Sequence, residues 1–178
     1  MTDGASPPLV RLLAEADLPA YKAFRDQMLA QHPEAFTSDA PTELRRDAAS
    51  YRTRLPGGSH GSCLFTLVLP RANRLVGAIS CERELRAKVR HIAHIAGMMV
   101  LPPVQGHGIG RLLMESALAL LGTQEGIELV TLSVTRGNTP AVKLYESLGF
   151  VRYGRLEQAI KMPDGSYLDK DLMSRRLR

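Results

Sequence analysis

The sequence predicts an α/β (α+β) protein built on a mixed, mostly antiparallel sheet with helices on both faces. Two observations predict this fold class. Strand segments come first and then alternate with amphipathic helical segments, which is the order typical of a mixed sheet. The 178 residues, 44% of them apolar, also suffice to bury one substantial core, so a single domain over 1–178 is expected.

Hydrophobic periodicity and turn residues predict the individual elements. In chain order these are a strand at Leu9–Leu13, helices at Leu18–Gln31 and Thr42–Leu55, a hairpin of Ser62–Leu69 with Arg74–Arg83, a long strand ending at Leu101, a helix at Leu112–Leu121, a strand at Glu128–Val134, a helix that carries Tyr145, and a hairpin of 150–161 with 166–176.

Turn residues and cysteines add detail to the two hairpins. Pro163-Asp164-Gly165 is a strong turn signal for the last hairpin. In the first hairpin, pairing about the turn at 70–74 places Cys63 opposite Cys81. Two cysteines are too few for a disulfide framework, so we expect two small buried apolar residues in a reducing cytosol.

Composition and charge argue against several classes of protein. The chain has no run of 18 apolar residues, so no membrane-spanning helix is expected. Residues 1–8 have neither the basic start nor the apolar centre of a secretory signal, which predicts a disordered lead-in over 1–7 and a cytoplasmic location. The net charge of +5 comes from scattered Lys and Arg without interleaved aromatic residues. That pattern favours a polyanionic small ligand, or simple surface bias, over nucleic acid.

The most informative segment is the glycine-dense turn within Val104–Arg111, between the apolar strand Ile95–Leu101 and the helix that follows. Three glycines in the five residues 106–110 leave the backbone uncovered, so successive N–H groups can converge on one anion. The helix adds the positive end of its dipole at the same point. The turn therefore predicts a phosphate-binding site, and a flexible turn that caps an amphipathic helix is the alternative.

Two common phosphate loops do not fit this turn. A dinucleotide fingerprint requires a third glycine where Arg111 stands, and a Walker A loop requires a Gly-Lys pair that the chain lacks. The pattern Gln105-x-x-Gly108-x-Gly110 does fit a third loop. It resembles the Arg/Gln-x-x-Gly-x-Gly/Ala pyrophosphate loop of the GCN5-related N-acetyltransferases, the GNAT family, which hold acetyl-coenzyme A there.

A second motif downstream is similar to the other signature segment of the same family. Asn138 follows a strand at the position of a helix N-cap, and Pro140 lies in the first turn, where proline is tolerated. Tyr145 comes two helical turns after Asn138, so both project from one face. Gly149 is predicted to end the helix in a left-handed conformation, and Phe150 opens the next strand.

The resemblance implies the GNAT fold, with a six- to seven-stranded sheet, a splayed central strand and a cofactor-binding core over about 75–176. It implies acetyl-CoA as co-substrate, no metal, and direct transfer of the acetyl group to a primary amine in a ternary complex. Backbone groups of the splayed strand at Met98–Leu101 would bind the pantetheine arm and polarise the thioester carbonyl. Arg111 and Lys143 are candidates for the phosphate charges, and a solvated helix position is the alternative for Lys143.

The resemblance assigns twelve residues to the cofactor. They are Met98, Met99, Val100, Gln105, Gly106, His107, Gly108, Ile109, Gly110, Arg111, Asn138 and Tyr145.

The resemblance indicates the catalytic acid but leaves the general base open. Tyr145 matches the family tyrosine that protonates the departing thiolate, and packing of the helix against the sheet is its alternative role. The general base stays open, because Ile95–Leu101 contains no carboxylate where many relatives have a glutamate. His91 and His94 are three residues apart on a strand, hence on opposite faces, which argues against a shared metal ion. The candidate bases are His94, Glu34, Glu82 and Glu84.

The linker His32-Pro33-Glu34-Ala35-Phe36 is similar to a stretch found between the first two helices in a bacterial subgroup of the family. That linker overlies the acceptor site in the family fold, so Glu34 and Phe36 are expected to contact the substrate, as a carboxylate for a cationic amine beside an aromatic wall. A helix terminus with a buried phenylalanine is the alternative.

The acceptor itself stays open among small-molecule and peptide amines: peptide N-termini, polyamines, amino acids and aminoglycosides. The resemblance also leaves a homodimer open. A catalytically silent acyl-CoA-binding regulatory module of the same fold is the alternative function.

Overall fold

Seven strands and four α-helices form the fold in a computed structural model that describes residues 9–57 and 61–177. The predicted disordered lead-in over 1–7 lies outside the described residues. The strands are β1 (Arg11–Leu12), β2 (Cys63–Arg71), β3 (Arg74–Arg83), β4 (Ile92–Val100), β5 (Leu129–Thr135), β6 (Val151–Lys161) and β7 (Tyr167–Arg176). The helices are α1 (Leu18–Gln31), α2 (Ala40–Leu44), α3 (Ile109–Thr123) and α4 (Thr139–Ser147). Within the described residues, none of these helices has the length and apolar character needed to cross a membrane.

All seven strands belong to one sheet, in the order β1-β2-β3-β4-β5-β7-β6. Strands β4 and β5 are parallel to each other, and every other neighbouring pair in this order is antiparallel. This arrangement confirms the predicted mixed, mostly antiparallel sheet. The single parallel pair requires a crossover, which is provided by the segment that contains α3.

The middle of the sheet is covered on both faces. Residues 75–81 of β3 are buried without interruption, although successive side chains of a strand point to opposite faces. Helices α1 and α3 both contact β3. Helix α3 comes so close at Gly77 that an added methyl group would lie 2.8 Å from Leu113 Cδ1 and 3.2 Å from Ile109 Cγ2. A side chain at this position would therefore displace the side chains of Leu113 and Ile109 that pack α3 on the sheet.

Strand β4 bends away from β5 near the middle of the sheet. Its register against β3 shifts between Ala96 and Met99 by one extra residue, and Gly97 in this bulge has a φ of +63°. Pairing with β5 involves only Ile92–His94, at the start of β4. Among residues 9–57 and 61–177, the rest of β4 thus has one edge without a strand partner, which confirms the predicted splayed strand.

Two of the predicted elements are wrong in detail. The expected helix Thr42–Leu55 is divided into the short α2 and a 3₁₀ helix at Ala48–Arg54. The physical reason is a new cap, because the Asp47 side chain accepts a hydrogen bond from the backbone N–H of Ser50 at 2.8 Å and starts a second helix there.

The cysteine pairing is also wrong. Cys63 pairs with Glu82, while Cys81 pairs with Phe65, because the hairpin turns at Ala72-Asn73, with Arg71 opposite Arg74, and this changes the register from the expected one. Both cysteines are nonetheless free and buried, as expected.

A buried polar cluster joins α1 to the segments that follow it. Arg25 and Glu43 are each 5% exposed, and Arg25 Nε donates to Glu43 Oε2 at 3.0 Å. The same carboxylate accepts from Tyr51 Oη at 2.5 Å and from Arg46 Nη1 at 3.1 Å. Burial alone would raise the pKa of Glu43, but the hydrogen bonds from Tyr51 and Arg25 outweigh it and lower the pKa to about 2.

We expect Glu43→Gln to lower the free energy of unfolding by about 2–3 kcal/mol near neutral pH, since buried donors then lose a charged acceptor. The folded-state pKa lies below the ordinary 4.5, so this contribution is complete above about pH 4.5 and is lost as the pH falls towards about 2. Urea denaturation of both proteins across this range measures it.

Glu115→Gln is the matched control, because Glu115 pairs with Arg111 at 3.4 Å but its side chain is 53% exposed. The Glu115→Gln variant should lose less than about 1 kcal/mol of unfolding free energy. Equal losses in the two variants would contradict the role given to the buried cluster.

Candidate functional site

Two cavities meet where β4 separates from β5. The first, called the long groove, has a volume of about 960 Å³ and extends from the glycine turn at 105–110 along α4. The second, called the inner cavity, has a volume of about 380 Å³ and lies between β4, β5 and the linker at 35–38. The residues that line both are Ala35, Phe36, Met98, Thr135, Asn138 and Tyr145.

The glycine turn lines one end of the long groove. Gly106 and Gly108 have φ angles of +78° and +79°, in the left-handed region that favours glycine. No atom would lie within 4 Å of a Cβ at either position, so the backbone there is open to a ligand. Gly108 is also the N-cap of α3, and the Gln105 side chain donates to the carbonyl of Val100 at 2.9 Å. The open amides of the turn and the positive end of α3 therefore adjoin the groove.

Gly110 has a different reason to be glycine. An added methyl group would lie 3.1 Å from Met98 Cε and 3.3 Å from Leu144 Cδ2. The first turn of α3 thus packs closely against β4 and α4, and Gly110 sets this distance.

Most residues predicted to hold the cofactor line the long groove. These are Met98, Met99, Val100, Gln105, Gly106, Gly108, Gly110, Arg111, Asn138 and Tyr145. The side chains of His107 and Ile109 do not line it. Ile109 is 8% exposed and packs next to Gly77 in the core, and His107 Nδ1 lies 3.0 Å from the carbonyl of Gln105. Any contact of these two residues with a cofactor would come from their main-chain atoms.

The separated part of β4 lines the groove with Met98, Met99 and Val100. Met99 is only 2% exposed. Met98 is half-buried and reaches both cavities. An extended ligand arm in the groove could therefore bind along β4 as an additional strand does.

Helix α4 positions the other two predicted residues. The Asn138 side chain caps the helix by accepting a hydrogen bond from the backbone N–H of Ala141 at 3.3 Å. Gly149, with a φ of +83°, follows its C-terminus. Asn138 and Tyr145 both face the junction of the two cavities, as two residues separated by two helical turns should.

Tyr145 is buried, and its hydroxyl group lies at the junction. Its ring packs edge-to-face against Phe150 at a centroid distance of 6.1 Å. The hydroxyl has one polar contact, with Met98 Sδ at 3.7 Å. Burial raises the pKa of Tyr145 to about 12, so the phenol keeps its proton at neutral pH. The site thus contains a proton donor whose own hydrogen bond is weak.

His94 lines the inner cavity from β4. Its Nδ1 atom lies 3.0 Å from Thr131 Oγ1, which fixes the ring and leaves the other nitrogen for the cavity. His94 is exposed to solvent, but desolvation by the surrounding protein lowers its pKa despite an opposing effect of Glu82. The imidazole is therefore neutral at neutral pH and able to accept a proton.

The carboxylate candidates lie elsewhere. Glu34 is exposed and lines the long groove rather than the inner cavity, with its side chain 3.4 Å from His32 Nδ1. Its backbone carbonyl accepts from Thr135 Oγ1 at 2.8 Å, which fixes the linker to the end of β5. Glu82 pairs with Arg54 at 2.7 Å, and the exposed Glu84 does not line either cavity.

The inner cavity contains basic residues that sequence patterns did not indicate: Arg25, Arg54 and Lys170. They come from α1, the 3₁₀ helix and β7, and no local motif links them. Within the described residues, no group of three or more His, Cys, Asp or Glu side chains could hold a metal ion.

The fold is that of solved acetyltransferases. The chain superposes on a GNAT-family acetyltransferase from Streptococcus pneumoniae with a TM-score of 0.81, at 22% identity, over 96% of this chain and 99% of that one. It also superposes on a putative acetyltransferase from Salmonella typhimurium solved with its cofactor acetyl-CoA, with a TM-score of 0.75 at 21% identity, over 97% of this chain and 95% of that one.

The chain belongs to the GNAT acetyltransferase family. Residues 21–150 match the family described as Acetyltransferase (GNAT) family. It is 32% identical over 154 residues to a mycothiol acetyltransferase from Salinispora tropica, an alignment that covers 82% of this chain and 50% of that protein. The chain thus spans about half the length of the curated relatives it matches first.

The glycine turn provides a prediction about the cofactor. We expect Gly108→Ala to weaken acetyl-CoA binding by about 10- to 100-fold, because a methyl group blocks close approach and shifts the amides that would bind phosphate. Calorimetric titration with acetyl-CoA measures the affinity. Gly110 is a poorer choice, since its substitution would also disturb α3.

Gly165→Ala is the matched control. Gly165, in the turn between β6 and β7, has a φ of +86° and open space around its Cβ position, so alanine there should carry the same backbone cost of about 1–2 kcal/mol. It lies outside both cavities. An affinity that is unchanged in a folded Gly108→Ala protein would exclude the turn as the phosphate site.

Proposed function

We propose that this protein is an acetyl-CoA-dependent N-acetyltransferase that moves the acetyl group directly to a primary amine in a ternary complex. The observation that carries the proposal is the junction of the long groove and the inner cavity at Met98 and Tyr145. A cofactor in the groove would present its thioester there, and an amine in the inner cavity would face it. Direct transfer needs such a junction, because the reacting atoms must approach to about 3–3.5 Å.

The long groove suits acetyl-CoA along its whole length. The amides of Gly106 and Gly108 and the start of α3 would bind the pyrophosphate. Arg111 and Lys143, which also line the groove, supply positive charge for the phosphates. The free edge of β4 would hydrogen-bond the pantetheine arm, and Asn138 would donate to the same arm from the opposite side.

The reaction requires one new bond and the loss of another. The amine nitrogen attacks the thioester carbonyl carbon, and the C–S bond then breaks to release the thiolate of coenzyme A. A main-chain N–H group on the free edge of β4 would stabilise the oxyanion that forms in between. The thiolate takes its proton from the hydroxyl of Tyr145.

His94 is the proposed acceptor of the proton that the amine gives up, directly or through a water molecule. Its position in the inner cavity and its lowered pKa support this role. Glu34 is the less supported base, because it lines the groove on the cofactor side. The cytoplasm remains the proposed location, since the free thiols of Cys63 and Cys81 suit a reducing compartment.

The release of free thiol from acetyl-CoA, measured over a panel of amines, tests the proposal. An acetyltransferase releases thiol at a rate that depends on the amine and produces an equal amount of acetylated amine. A silent acyl-CoA-binding module would bind acetyl-CoA but release no thiol with any amine, and that result would refute the proposed function.

A further inference from the structure

The charged side chains that line the inner cavity are all basic. They are Arg25, Arg54 and Lys170, beside the neutral His94, and no carboxylate side chain lines this cavity among the described residues. A cavity of one sign concentrates ligands of the opposite charge. This lining is unfavourable for an acceptor that carries only positive charges, such as a polyamine.

Not all of this charge is neutralised by neighbouring groups. Arg54 pairs with Glu82 at 2.7 Å. Arg25 pairs with Glu43, but Glu43 also pairs with Arg46 at 3.1 Å. One carboxylate therefore balances only one of two guanidinium charges. The inner cavity therefore borders on an excess positive charge at Arg25.

Arg25 is also held in one orientation. Its Nε donates to Glu43 and its Nη2 donates to Ser38 Oγ at 3.0 Å, while Nη1 donates to no atom of the described residues. This Nη1 atom lies 3.8 Å from the position of a Cβ at Gly97, next to the bulge of β4. A fixed guanidinium with a donor to spare is a suitable partner for an anion.

Lys170, from β7, provides a second unpaired cation in the lining of the inner cavity. Its Nζ has one hydrogen bond, to Ser133 Oγ at 3.4 Å, and no carboxylate lies within ion-pair distance in the described part of the chain. Burial lowers the pKa of Lys170. A carboxylate beside its ammonium group would offset that effect.

We propose that the acceptor is a small molecule of the amino-acid class, with a carboxylate that binds Lys170 and Arg25 while its amine faces the thioester. This inference rests on the proposed function and names the substrate class for the same site. The volume of about 380 Å³ suits a molecule of this size. The positively charged lining also favours the neutral form of the amine, which is the form that attacks the thioester.

The test compares three forms of each acceptor with wild-type protein: an amino acid, its amide, and the amine that lacks the carboxylate. We expect kcat/KM for the preferred amino acid to exceed that of its amide by about 10- to 100-fold, the usual effect of losing a charge-assisted hydrogen bond. Equal or better turnover of the amide or the plain amine would overturn the inference and leave the proposed function intact. Absence of thiol release with every amine would instead refute the proposed function.

A peptide amide that begins with aspartate keeps a carboxylate, that of the aspartate side chain, on a larger molecule. Turnover of this peptide above that of free aspartate would overturn the assignment to a free amino acid.

Lys170→Met keeps the apolar stem and removes the charge. It should raise KM for the amino acid by about 10- to 100-fold, with little change for its amide and an unchanged KM for acetyl-CoA. Lys88→Met, at an exposed position outside both cavities, is the matched control. Equal effects of Lys170→Met on the amino acid and the amide would overturn the carboxylate contact. Lys170→Gln, with its melting temperature measured, replaces it if the methionine variant does not fold.

Discussion

Tyr145→Phe should lower the turnover number by ~10²–10⁴, the usual range for a positioned general acid, while the affinity for acetyl-CoA changes by no more than a few-fold. The reason lies in the contacts of this side chain. Its ring packs against Phe150, and that contact survives in phenylalanine. The hydroxyl contributes only a weak contact with Met98 Sδ at 3.7 Å, so its removal takes away a proton donor and little packing.

Steady-state kinetics and a thermal melt, measured on the same preparation, distinguish the two roles of Tyr145. Loss of an acid lowers turnover at a nearly unchanged melting temperature. Loss of a structural anchor lowers the melting temperature and leaves turnover near normal at low temperature. Tyr153→Phe, which removes a hydroxyl from a side chain 59% exposed on β6, should change neither quantity. Full activity of Tyr145→Phe would assign the residue to the core alone.

His94→Gln should produce a loss of similar size, ~10²–10⁴ in turnover, if His94 accepts the amine proton. Glutamine can retain a hydrogen bond to Thr131 Oγ1, so the replacement mainly removes the basic nitrogen that faces the inner cavity. His91→Gln is the matched control, because His91 precedes β4 and lines neither cavity. Its turnover should equal that of the wild type.

The pH dependence gives His94 a second test. Desolvation lowers the pKa of His94 below the ordinary 6.5, and a general base is active only when deprotonated. Wild-type kcat/KM should therefore fall as the pH drops through a value below 6.5, and this limb should be absent in His94→Gln. The amine titrates identically in both proteins, so the difference between the profiles isolates the residue. The same acidic limb in both would indicate another base.

Local sequence signals predicted a large part of this site. The left-handed φ at Gly108, the cap formed by Asn138 and the left-handed Gly149 depend on residues close in sequence, and each has a distinct chemical reason. The splayed strand also follows a local feature, since the bulge at Gly97 uses a glycine φ of +63°.

Sequence patterns did not predict the features that depend on tertiary contacts. Arg25 and Lys170 are 145 positions apart in the numbering and meet at the inner cavity only because the tertiary fold brings α1 and β7 to its lining. The division of the predicted helix Thr42–Leu55 depends on Asp47, whose carboxylate can cap a new helix as readily as it can face solvent. The offset between Cys63 and Cys81 depends on the exact position of the hairpin turn at Ala72-Asn73, which the sequence leaves open within 70–74.

The fate of the acetyl group tests the central claim most directly. Acetyl-CoA with an isotopic label in the acetyl group is mixed with the protein, with and without the best amine acceptor, and the label is traced by mass spectrometry. Direct transfer at the junction predicts label on the amine nitrogen in an amount equal to the thiol released, and none attached to the denatured protein. Label on a protein side chain that an added amine then removes, or labelled acetyl-CoA left intact with every amine, would contradict the account.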